Sequence, residues 1–328
     1  MIIKKPKIAI IGSGLSGVIL GQELKEISSV KIFEKSRGCG GRMSARYAEK
    51  FSFDHGAQFF TARSEGFREF LAPFLEMHAV LPWEGEVILF KSGGSIISCR
   101  SEENLLVASP NMNSLCKKIA TDLDVSLGTE VAPLTPKQSD GWHLKDKNGS
   151  HLGVYDLVIS TAPIPQTKNL FVNQINLEDG LAMLPCFATM IGFNQKLDLD
   201  WIFAKTEDRV IKSIGFNSSK PDRDKNVSCF VIHSTEEWAL ENLEKDISGL
   251  ERILVKGFED LTGILCEKAD YISTHRWRYA LADKAKELEP LFDENLKLGA
   301  VGDWVCGSTI EDVWLTAKKL SQIIKTKI

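Results

Sequence analysis

A cluster of glycines follows a short β-branched run near the start of the chain. Residues 7–11 (KIAII) have the pattern of a buried strand, and residues 12–17 (GSGLSG) follow directly and open a helix pattern. In such a turn Gly12 makes the tight bend, Gly14 lets the backbone approach a pyrophosphate, and Gly17 lets helix and strand pack closely. The helix start also presents unpaired N–H groups and a partial positive charge. The spacing therefore predicts a diphosphate site.

An acidic residue follows at the distance that a ribose requires. Residues 30–34 (VKIFE) predict a second strand that ends at Glu34, 22 positions after Gly12. A carboxylate there can accept hydrogen bonds from ribose hydroxyls. Strand, glycines, helix, strand and acid thus stand in the order of a dinucleotide-binding unit. This order leaves NAD and FAD both open.

A second glycine-rich loop, residues 38–42 (GCGGR), continues past the acid. Several glycines together weaken a fold unless the backbone must adopt unusual dihedral angles or approach another group closely. Arg42, beside them, can neutralise a diphosphate through paired hydrogen bonds. The loop therefore favours a second contact with the same ligand.

Residues 34–43, together with residues 54–63 (DHGAQFFTAR), resemble the flavin-containing amine oxidase superfamily, and within it the renalase-like proteins. In that superfamily the Gly-Gly-Arg loop lies along FAD, so the resemblance favours FAD over NAD. Residues 107–131, 155–166 and 274–280 are also similar to segments of these proteins. The resemblance implies that Val131 lies near the adenine.

Residues 298–304 (LGAVGDW) predict a final strand that ends in Gly302-Asp303, and an amphipathic helix follows, with a capping box from Ser308 to Glu311. The resemblance implies that Asp303 contacts the ribityl chain of the flavin and that the helix start meets the pyrimidine end of the ring. A helix start there would stabilise negative charge on the reduced flavin. The family commonly has Gly-Ala where Asp312-Val313 follow Glu311.

These motifs and the resemblance predict a set of FAD contacts and a smaller set of residues on the substrate side. The predicted FAD contacts are Gly12, Ser13, Gly14, Leu15, Ser16, Glu34, Lys35, Gly41, Arg42, Met43, Gln58, Val131, Gly302, Asp303, Asp312 and Val313. The predicted catalytic residues are Gln58, Trp277 and His233. Phe60, Arg63, Tyr279 and Trp304 are further candidates for the pocket lining. Cys306 does not match the family's covalent attachment pattern, so we expect FAD to be bound non-covalently.

Composition excludes several other classes of partner. A net charge of −4 without a dense Lys/Arg block argues against nucleic acid as a partner. The first apolar run is too short for a secretory signal, and no stretch reaches the length of a membrane-spanning helix, so we expect a cytoplasmic protein with no membrane contact. Scattered cysteines and histidines in no metal-binding spacing predict no metal site.

The length of 328 residues suits two domains. We expect an α/β fold in which a Rossmann-like FAD-binding domain (residues 1–75, 105–165 and 285–328) is interleaved with a substrate domain (residues 76–104 and 166–284). The second domain is expected to be α+β, built on a mainly antiparallel sheet. Residues 188–193, 210–216 and 228–233 each have the alternating pattern of a strand.

Function follows from the resemblance and from the lack of an acid/base constellation in the sequence. The resemblance implies an oxidase that takes a hydride from a small reduced substrate, a dihydronicotinamide (NAD(P)H) isomer, and passes the electrons to O2 to form hydrogen peroxide. One alternative is an FAD-dependent amine oxidase or another small-molecule dehydrogenase. A flavin-binding module without turnover is an alternative of another class.

Overall fold

A computed structural model describes residues 5–99, 103–172, 174, 175, 177, 181–283 and 288–328. The contacts within the chain divide it into two compact units. Unit 1 comprises residues 1–41, 116–183 and 281–328, and unit 2 comprises residues 42–115 and 184–280. Compared with the predicted domains, residues 42–75 and 105–115 fall in unit 2, residues 166–183 fall in unit 1, and the predicted boundary at 285 lies outside the described residues.

The strands, in chain order, are β1 (Lys7–Ile11), β2 (Ser29–Phe33), β3 (Arg46–Ala48), β4 (Phe51–Phe53), β5 (Val80–Pro82), β6 (Val87–Phe90), β7 (Ile96–Ser98), β8 (Leu106–Ala108), β9 (Asp124–Ser126), β10 (Trp142–Lys145), β11 (His151–Tyr155), β12 (Leu157–Ser160), β13 (Met183–Phe193), β14 (Phe203–Thr206), β15 (Ile211–Phe216), β16 (Ser228–Ser234), β17 (Tyr271–Ala282), β18 (Leu291–Asp293) and β19 (Leu298–Ala300). The helices are α1 (Leu15–Leu24), α2 (Glu65–Glu76), α3 (Asn113–Ile119), α4 (Ile164–Leu170), α5 (Glu236–Glu241), α6 (Ile247–Thr262) and α7 (Ile310–Lys325). No helix in the described part of the chain is both long and apolar enough to span a bilayer.

Unit 1 is built on a sheet with the strand order β18-β19-β12-β1-β2-β9. β1 pairs in parallel with β2 and β12, and β12 pairs in parallel with β19. The central strand β1 is buried from Ile8 to Ile10, as its continuous apolar run predicts. Helix α1 packs against α7 and buries most of its length. This arrangement confirms the predicted Rossmann-like unit.

The C-terminal elements of unit 1 differ in detail from the prediction. The last strand stops at Ala300, and residues 301–307 form turns. The capping box of α7 lies one position later than predicted: the Thr309 side chain accepts from the Asp312 backbone N–H at 3.1 Å, and Asp312 accepts from the Thr309 N–H at 3.1 Å. A threonine N-cap with an acid three positions on satisfies the same rule as the predicted Ser308 and Glu311 pair.

Unit 2 is built on a sheet with the strand order β17-β13-β16-β15-β14-β6-β7. β13, β14, β15 and β16 form antiparallel pairs, but β14 pairs in parallel with β6. The sheet is therefore mixed, and the prediction of a mainly antiparallel sheet did not include this parallel pair. β6 lies between β5 and β7 along the chain, and no local pattern of residues predicts that it pairs in parallel with β14.

The two faces of the unit 2 sheet carry different side chains. One face packs against α6, which buries Leu250, Leu254 and Phe258 at helical spacing. The hairpin of β3 and β4 covers the other face, where Phe51 and Phe53 join Met190, Val227, Cys229 and Val231. A side chain at Gly192 on β13 would lie within 3.1 Å of the Phe51 ring. Glycine here lets the hairpin lie directly on the sheet.

Candidate functional site

The carboxyl ends of the parallel strands in unit 1 meet at one edge of the sheet. Gly12 follows β1 there, Glu34 follows β2, and Thr161 follows β12. The chain leaves β1 toward β2 on one side, whereas β12 lies on the other side. Ligands of open α/β sheets bind at such a switch point, beyond the carboxyl ends of the strands.

The glycine turn after β1 is shaped by close backbone contacts. Gly12 has φ +107°, and a Cβ on it would lie 2.7 Å from the Thr161 hydroxyl oxygen. A Cβ on Gly17 would overlap the carbonyl oxygen of Gly12. Gly14 differs, because its Cβ would meet only the Cα of Gly41, at an ordinary 3.9 Å. The protein itself therefore does not require glycine at position 14 to avoid a collision.

The start of α1 is not capped by a protein side chain. Gly14 is its N-cap residue, no side chain caps it, and its first turn carries no acid. The second glycine loop lies beside it, because the Gly40 N–H donates to the Ser13 carbonyl at 3.0 Å. Exposed N–H groups and the helix dipole at such a start attract phosphate groups.

The buried carboxylate of Glu34 connects these turns. It accepts hydrogen bonds from the Ser13 N–H at 2.8 Å, from the Ser13 hydroxyl at 3.1 Å and from the Ser36 N–H at 2.8 Å. A carboxylate has about four acceptor positions, so capacity for a ribose hydroxyl remains. The Glu34 carbonyl accepts from the Thr129 N–H at 2.8 Å, which brings the segment of Val131 to the same edge. Lys35 is exposed beside it.

The turn after β19 contributes an acid and an indole to unit 1. Asp303 is buried and accepts from the Ala282 N–H at 3.0 Å. The indole Nε1 of Trp304 is buried and has no hydrogen-bond partner among the described residues. A Cβ on Gly302 would lie 2.6 Å from that nitrogen. A buried donor in this state can bond an acceptor on a bound group.

The first turn of α7, which contains Asp312 and Val313, is already capped by its own side chains. Glu311 and Asp312 also place negative charge there. This charge offsets part of the positive end of the helix dipole. The negative charge opposes the stabilisation of a ligand anion by α7, and the contact between this helix start and the flavin stays a prediction.

In unit 2, a short segment that begins at Asp54 and ends at Gln58 is held by groups from distant parts of the chain. The fully buried Asp54 carboxylate accepts from Lys220 Nζ at 3.0 Å, from Arg223 Nη2 at 2.8 Å and from the Met112 N–H at 2.8 Å. Burial opposes ionisation of Asp54, but the two cations outweigh it and lower its pKa. Asp54 is therefore an anchoring anion and a poor proton acceptor.

The next residue, His55, is held against β17 and β16. Its ring stacks on Trp277 with centroids 5.1 Å apart, and its carbonyl accepts from the Trp277 indole N–H at 3.0 Å. The same carbonyl lies 3.3 Å from Nε2 of His233. His275 packs edge-on against both the His55 ring and the Trp277 ring. Two of the predicted catalytic residues thus converge on one backbone carbonyl.

The imidazoles of this cluster are uncharged at neutral pH. Burial, with help from His275 and Arg46, lowers the pKa of His55 to about 3. Burial likewise lowers the pKa of His233 to about 4. The pKa of His275 is lowered by burial and by Arg46. Bases with such pKa values accept protons poorly at pH 7.

The amide of Gln58 is used within its own segment. Its Nε2 donates to the carbonyls of Asp54 and Gly56, the latter at 3.1 Å, and its Oε1 lies 3.5 Å from Lys220 Nζ. A Cβ on Gly215, in β15, would overlap Oε1. These contacts describe a structural amide that fixes the turn.

Arg42 and Met43 also lie in unit 2. The Arg42 carbonyl accepts from the Ala57 N–H at 2.9 Å, and a Cβ on Gly56 would overlap that carbonyl. Its guanidinium donates to the Ala280 carbonyl at 3.3 Å. Met43 is buried. The Gly-Gly-Arg motif thus continues into a backbone that packs against residues 54–58.

Residues 68–322 match the family of flavin containing amine oxidoreductases, and residues 10–74 match an NAD(P)-binding Rossmann-like domain. The chain belongs to the flavin containing amine oxidoreductase family. Its cofactor is non-covalently bound FAD.

Solved structures with the same fold have low sequence identity to this chain. A putative protoporphyrinogen oxidase from an Exiguobacterium species has a TM-score of 0.79 at 11% identity, with 100% of both chains covered. A redesigned putrescine oxidase has a TM-score of 0.72 at 10% identity, covering 99% of this chain and 100% of that one. A protein from Pyrococcus furiosus has a TM-score of 0.67 at 12% identity, covering 97% of each chain.

Unit 1 fits the dinucleotide part of FAD. Three features of unit 1 have no explanation in contacts within the protein. They are the uncapped start of α1, the glycine at position 14, where a Cβ would meet no protein atom closer than 3.9 Å, and the unpaired indole N–H of Trp304. Glu34 and Asp303 supply buried carboxylates at the same carboxyl edge as the glycine turn. Diphosphate and hydroxyl groups are the ligands that this donor and acceptor set suits.

Several residues that shape unit 2 were not among the predicted site residues: His55, His275, Lys220 and Arg223. His55 and His275 lie inside the motifs that carry the resemblance, so the sequence offered a reason to name them as candidate site residues. Lys220 and Arg223 gave no such signal, because they stand in a turn-rich loop 166 and 169 positions from Asp54. Only the pairing of strands brings these charges together.

Proposed function

We propose that this protein is an oxidase that takes a hydride from a dihydronicotinamide dinucleotide reduced at a ring carbon other than C4, and passes the electrons to O2. Bound FAD supplies the two-electron acceptor. The substrate loses a hydride and becomes an aromatic pyridinium ion, and O2 takes up two electrons and two protons to give hydrogen peroxide. Gln58, Trp277 and His233 belong to the substrate side in this proposal.

The observation that carries the proposal is the electrostatic state of the His55 cluster. His55 and His233 have pKa values of about 3 and 4, and Asp54 is paired with two cations. Such a cluster offers flat ring surfaces and weak bases. The ring nitrogen of a misreduced dihydronicotinamide expels the hydride with its own lone pair, so the substrate needs no proton acceptor.

An amine makes the opposite demand. A primary or secondary amine is largely an ammonium ion at pH 7, and it must lose a proton before a hydride can leave from the neighbouring carbon. The described imidazoles with lowered pKa values are poorly suited to take that proton. The family name and the fold of putrescine oxidase keep amine oxidation as the alternative activity.

An anaerobic survey of donors tests the proposal. The protein, loaded with FAD, is mixed with misreduced dihydronicotinamide dinucleotides, with the ordinary 4-dihydro form, and with primary and secondary amines, while the flavin absorbance is followed. We expect rapid bleaching by the misreduced isomers, and recovery of the yellow colour with peroxide formation when air is admitted. Bleaching by amines alone would establish the alternative activity. A flavin that no donor bleaches would indicate a binding module.

A further inference from the structure

The buried ion cluster of Asp54, Lys220 and Arg223 carries unequal charge. One carboxylate faces two cations, and all three side chains are almost completely buried. Arg223 also donates to the carbonyls of Ala108 and Pro221, both at 3.0 Å. The cluster therefore has a net charge of +1 whenever Lys220 is protonated. Burying an uncompensated charge is unfavourable, and some group must respond to it.

Lys220 is the group of this cluster that can respond. The guanidinium of Arg223 keeps its proton at any ordinary pH. Burial lowers the pKa of Lys220 to about 8, against the opposing effect of Asp54. A cation–π contact with the Trp83 ring, 5.1 Å from the ammonium nitrogen to the ring centroid, favours the charged form. Because burial outweighs these attractions, Lys220 can lose its proton in mildly alkaline solution while Asp54 and Arg223 stay paired.

The contacts of Lys220 lead directly to the segment that holds His55. Lys220 Nζ bonds the side chain of Asp54, at one end of the segment, and approaches Oε1 of Gln58, at the other end. The other half of the Gln58 amide bonds the carbonyls of Asp54 and Gly56. A single ammonium group thus closes the turn from both ends.

We propose that Lys220 is a positioning residue whose ammonium group holds the Asp54–Gln58 segment in place, so that the order of this segment depends on the proton of Lys220. A neutral amine keeps N–H donors but loses the charge that draws it toward two oxygen atoms. Charge-assisted hydrogen bonds are the stronger ones, so the segment loosens when the proton leaves. Arg223 and the Met112 N–H then hold the Asp54 carboxylate, and Oε1 of Gln58 loses its charged partner.

Other charged groups near Lys220 do not replace its role. Lys225 donates to the backbone carbonyls of Ser218 and Lys220, at 2.7 and 2.6 Å, and so stabilises the loop that carries Lys220. Lys220 also contributes to the lowered pKa of His233, whose value of about 4 lies far from the pH range of the change. Asp222 raises the pKa of Lys225, against the lowering effect of burial and of Arg223.

Hydrogen exchange tests the proposal on the FAD-loaded protein without any substrate. The amides of Asp54 and Ala57, which donate to Asn217 Oδ1 and to the Arg42 carbonyl, report on the segment. In Lys220→Met we expect them to exchange about ten- to hundredfold faster than in wild type, the factor that corresponds to losing a hydrogen bond to a charged group. Amides of β16 serve as the internal reference for global unfolding. Lys212→Met, which removes an exposed lysine on β15, is the matched control.

The pH dependence of amide protection is a second test, which needs only wild type and Lys220→Arg and so does not depend on the folding of Lys220→Met. After correction for intrinsic exchange, wild-type protection of Asp54 and Ala57 should fall between pH 7 and pH 9, through the pKa of about 8 of Lys220. Lys220→Arg keeps its charge and should show no such fall. Equal protection in wild type and Lys220→Met, or a fall in Lys220→Arg that equals the wild-type fall, would overturn the proposal.

The consequence for catalysis rests on the proposed function. The limiting rate of flavin reduction by a misreduced dihydronicotinamide should decline above pH 8 in wild type and stay constant in Lys220→Arg. If the misreduced isomers do not bleach the flavin, the proposed function is wrong, and the exchange result still tests the role of Lys220. If Lys220→Met exchanges at the wild-type rate while its flavin is reduced normally, the role of Lys220 is wrong and the proposed function is unaffected.

Discussion

Trp277 contacts His55 in two ways: its indole N–H donates to the His55 carbonyl at 3.0 Å, and its ring stacks on the imidazole at a centroid distance of 5.1 Å. Trp277→Phe removes the hydrogen bond and keeps an aromatic ring, whereas Trp277→Ala removes both. We expect flavin reduction to slow modestly in the first variant and about a hundredfold in the second, as misplacement of a binding surface does. FAD content should not change.

The control for Trp277 lies on the opposite face of the same sheet. Trp238 packs its ring against Phe187 on the α6 side, at 5.6 Å. Trp238→Phe should leave the rate of flavin reduction at the wild-type value. If Trp277→Ala lost FAD in proportion to its loss of rate, Trp277 would act on cofactor binding and the substrate-side assignment would be wrong.

Gly14 and Gly17 should respond differently to the same substitution. A Cβ at Gly17 would overlap the Gly12 carbonyl, so Gly17→Ala should destabilise the fold itself. A Cβ at Gly14 meets no protein atom closer than 3.9 Å, so Gly14→Ala should unfold at the apoprotein's normal temperature and bind FAD weakly. Thermal unfolding of both apoproteins and FAD titration separate the two effects. Wild-type FAD affinity in Gly14→Ala would show that the pyrophosphate does not lie at this turn.

Much of unit 1 was predictable because its signals are local. The glycine turn, the strand that ends before Glu34 and the helix after the Gly302-Asp303 turn lie in short segments whose residues determine their own structure. In unit 2 the sequence predicted the positions of individual strands, such as β15 and β16. The partners of those strands were not predictable, because the parallel pairing of β6 with β14 depends on contacts between distant segments.

Site residues follow the same division. Gln58 carries a polar side chain in a motif, and the sequence could not reveal that its amide is used to close its own turn. The charged residues that hold this turn, Lys220 and Arg223, resemble ordinary surface residues of a loop. They are buried because the loop that follows β15 lies against Asp54.

Glu34 should matter to FAD affinity through its carboxylate. Glu34→Ala removes the acceptor for Ser13 and Ser36 and for a ribose hydroxyl, and hydrogen bonds to a charged group contribute about 1.5 to 3 kcal/mol. We expect FAD to bind roughly 10 to 150 times more weakly in a titration of the apoprotein. Glu26→Ala, at an exposed position, is the control. An unchanged dissociation constant in Glu34→Ala would place the adenosine elsewhere.

Buried neutral histidines predict a loss of stability in acid. The pKa values of His55 and His233, about 3 and about 4, lie below the ordinary value of 6.5. Between these values and pH 6.5 the unfolded chain binds more protons than the folded one, so the free energy of unfolding falls as the pH drops below 6.5. Each histidine should account for about 1 to 2 kcal/mol of this loss by pH 5.

Urea unfolding at pH 7 and pH 5 measures this loss. His233→Gln should lose less stability between the two pH values than wild type. His78→Asn changes an exposed histidine at φ +55°, a conformation that asparagine tolerates, and should follow the wild type. Identical pH dependence in wild type and His233→Gln would contradict the neutral buried state of His233.

The most direct test of the proposed reaction compares two forms of one dinucleotide under anaerobic rapid mixing. The FAD-loaded protein is mixed with a dihydronicotinamide dinucleotide reduced away from C4, and separately with the 4-dihydro form, and flavin bleaching and oxidised dinucleotide are measured together. We expect bleaching within seconds by the misreduced form, one oxidised dinucleotide per flavin reduced, and a far slower reaction with the 4-dihydro form. Equal rates with the two forms, or reduction by simple amines while the misreduced form stays inert, would contradict it.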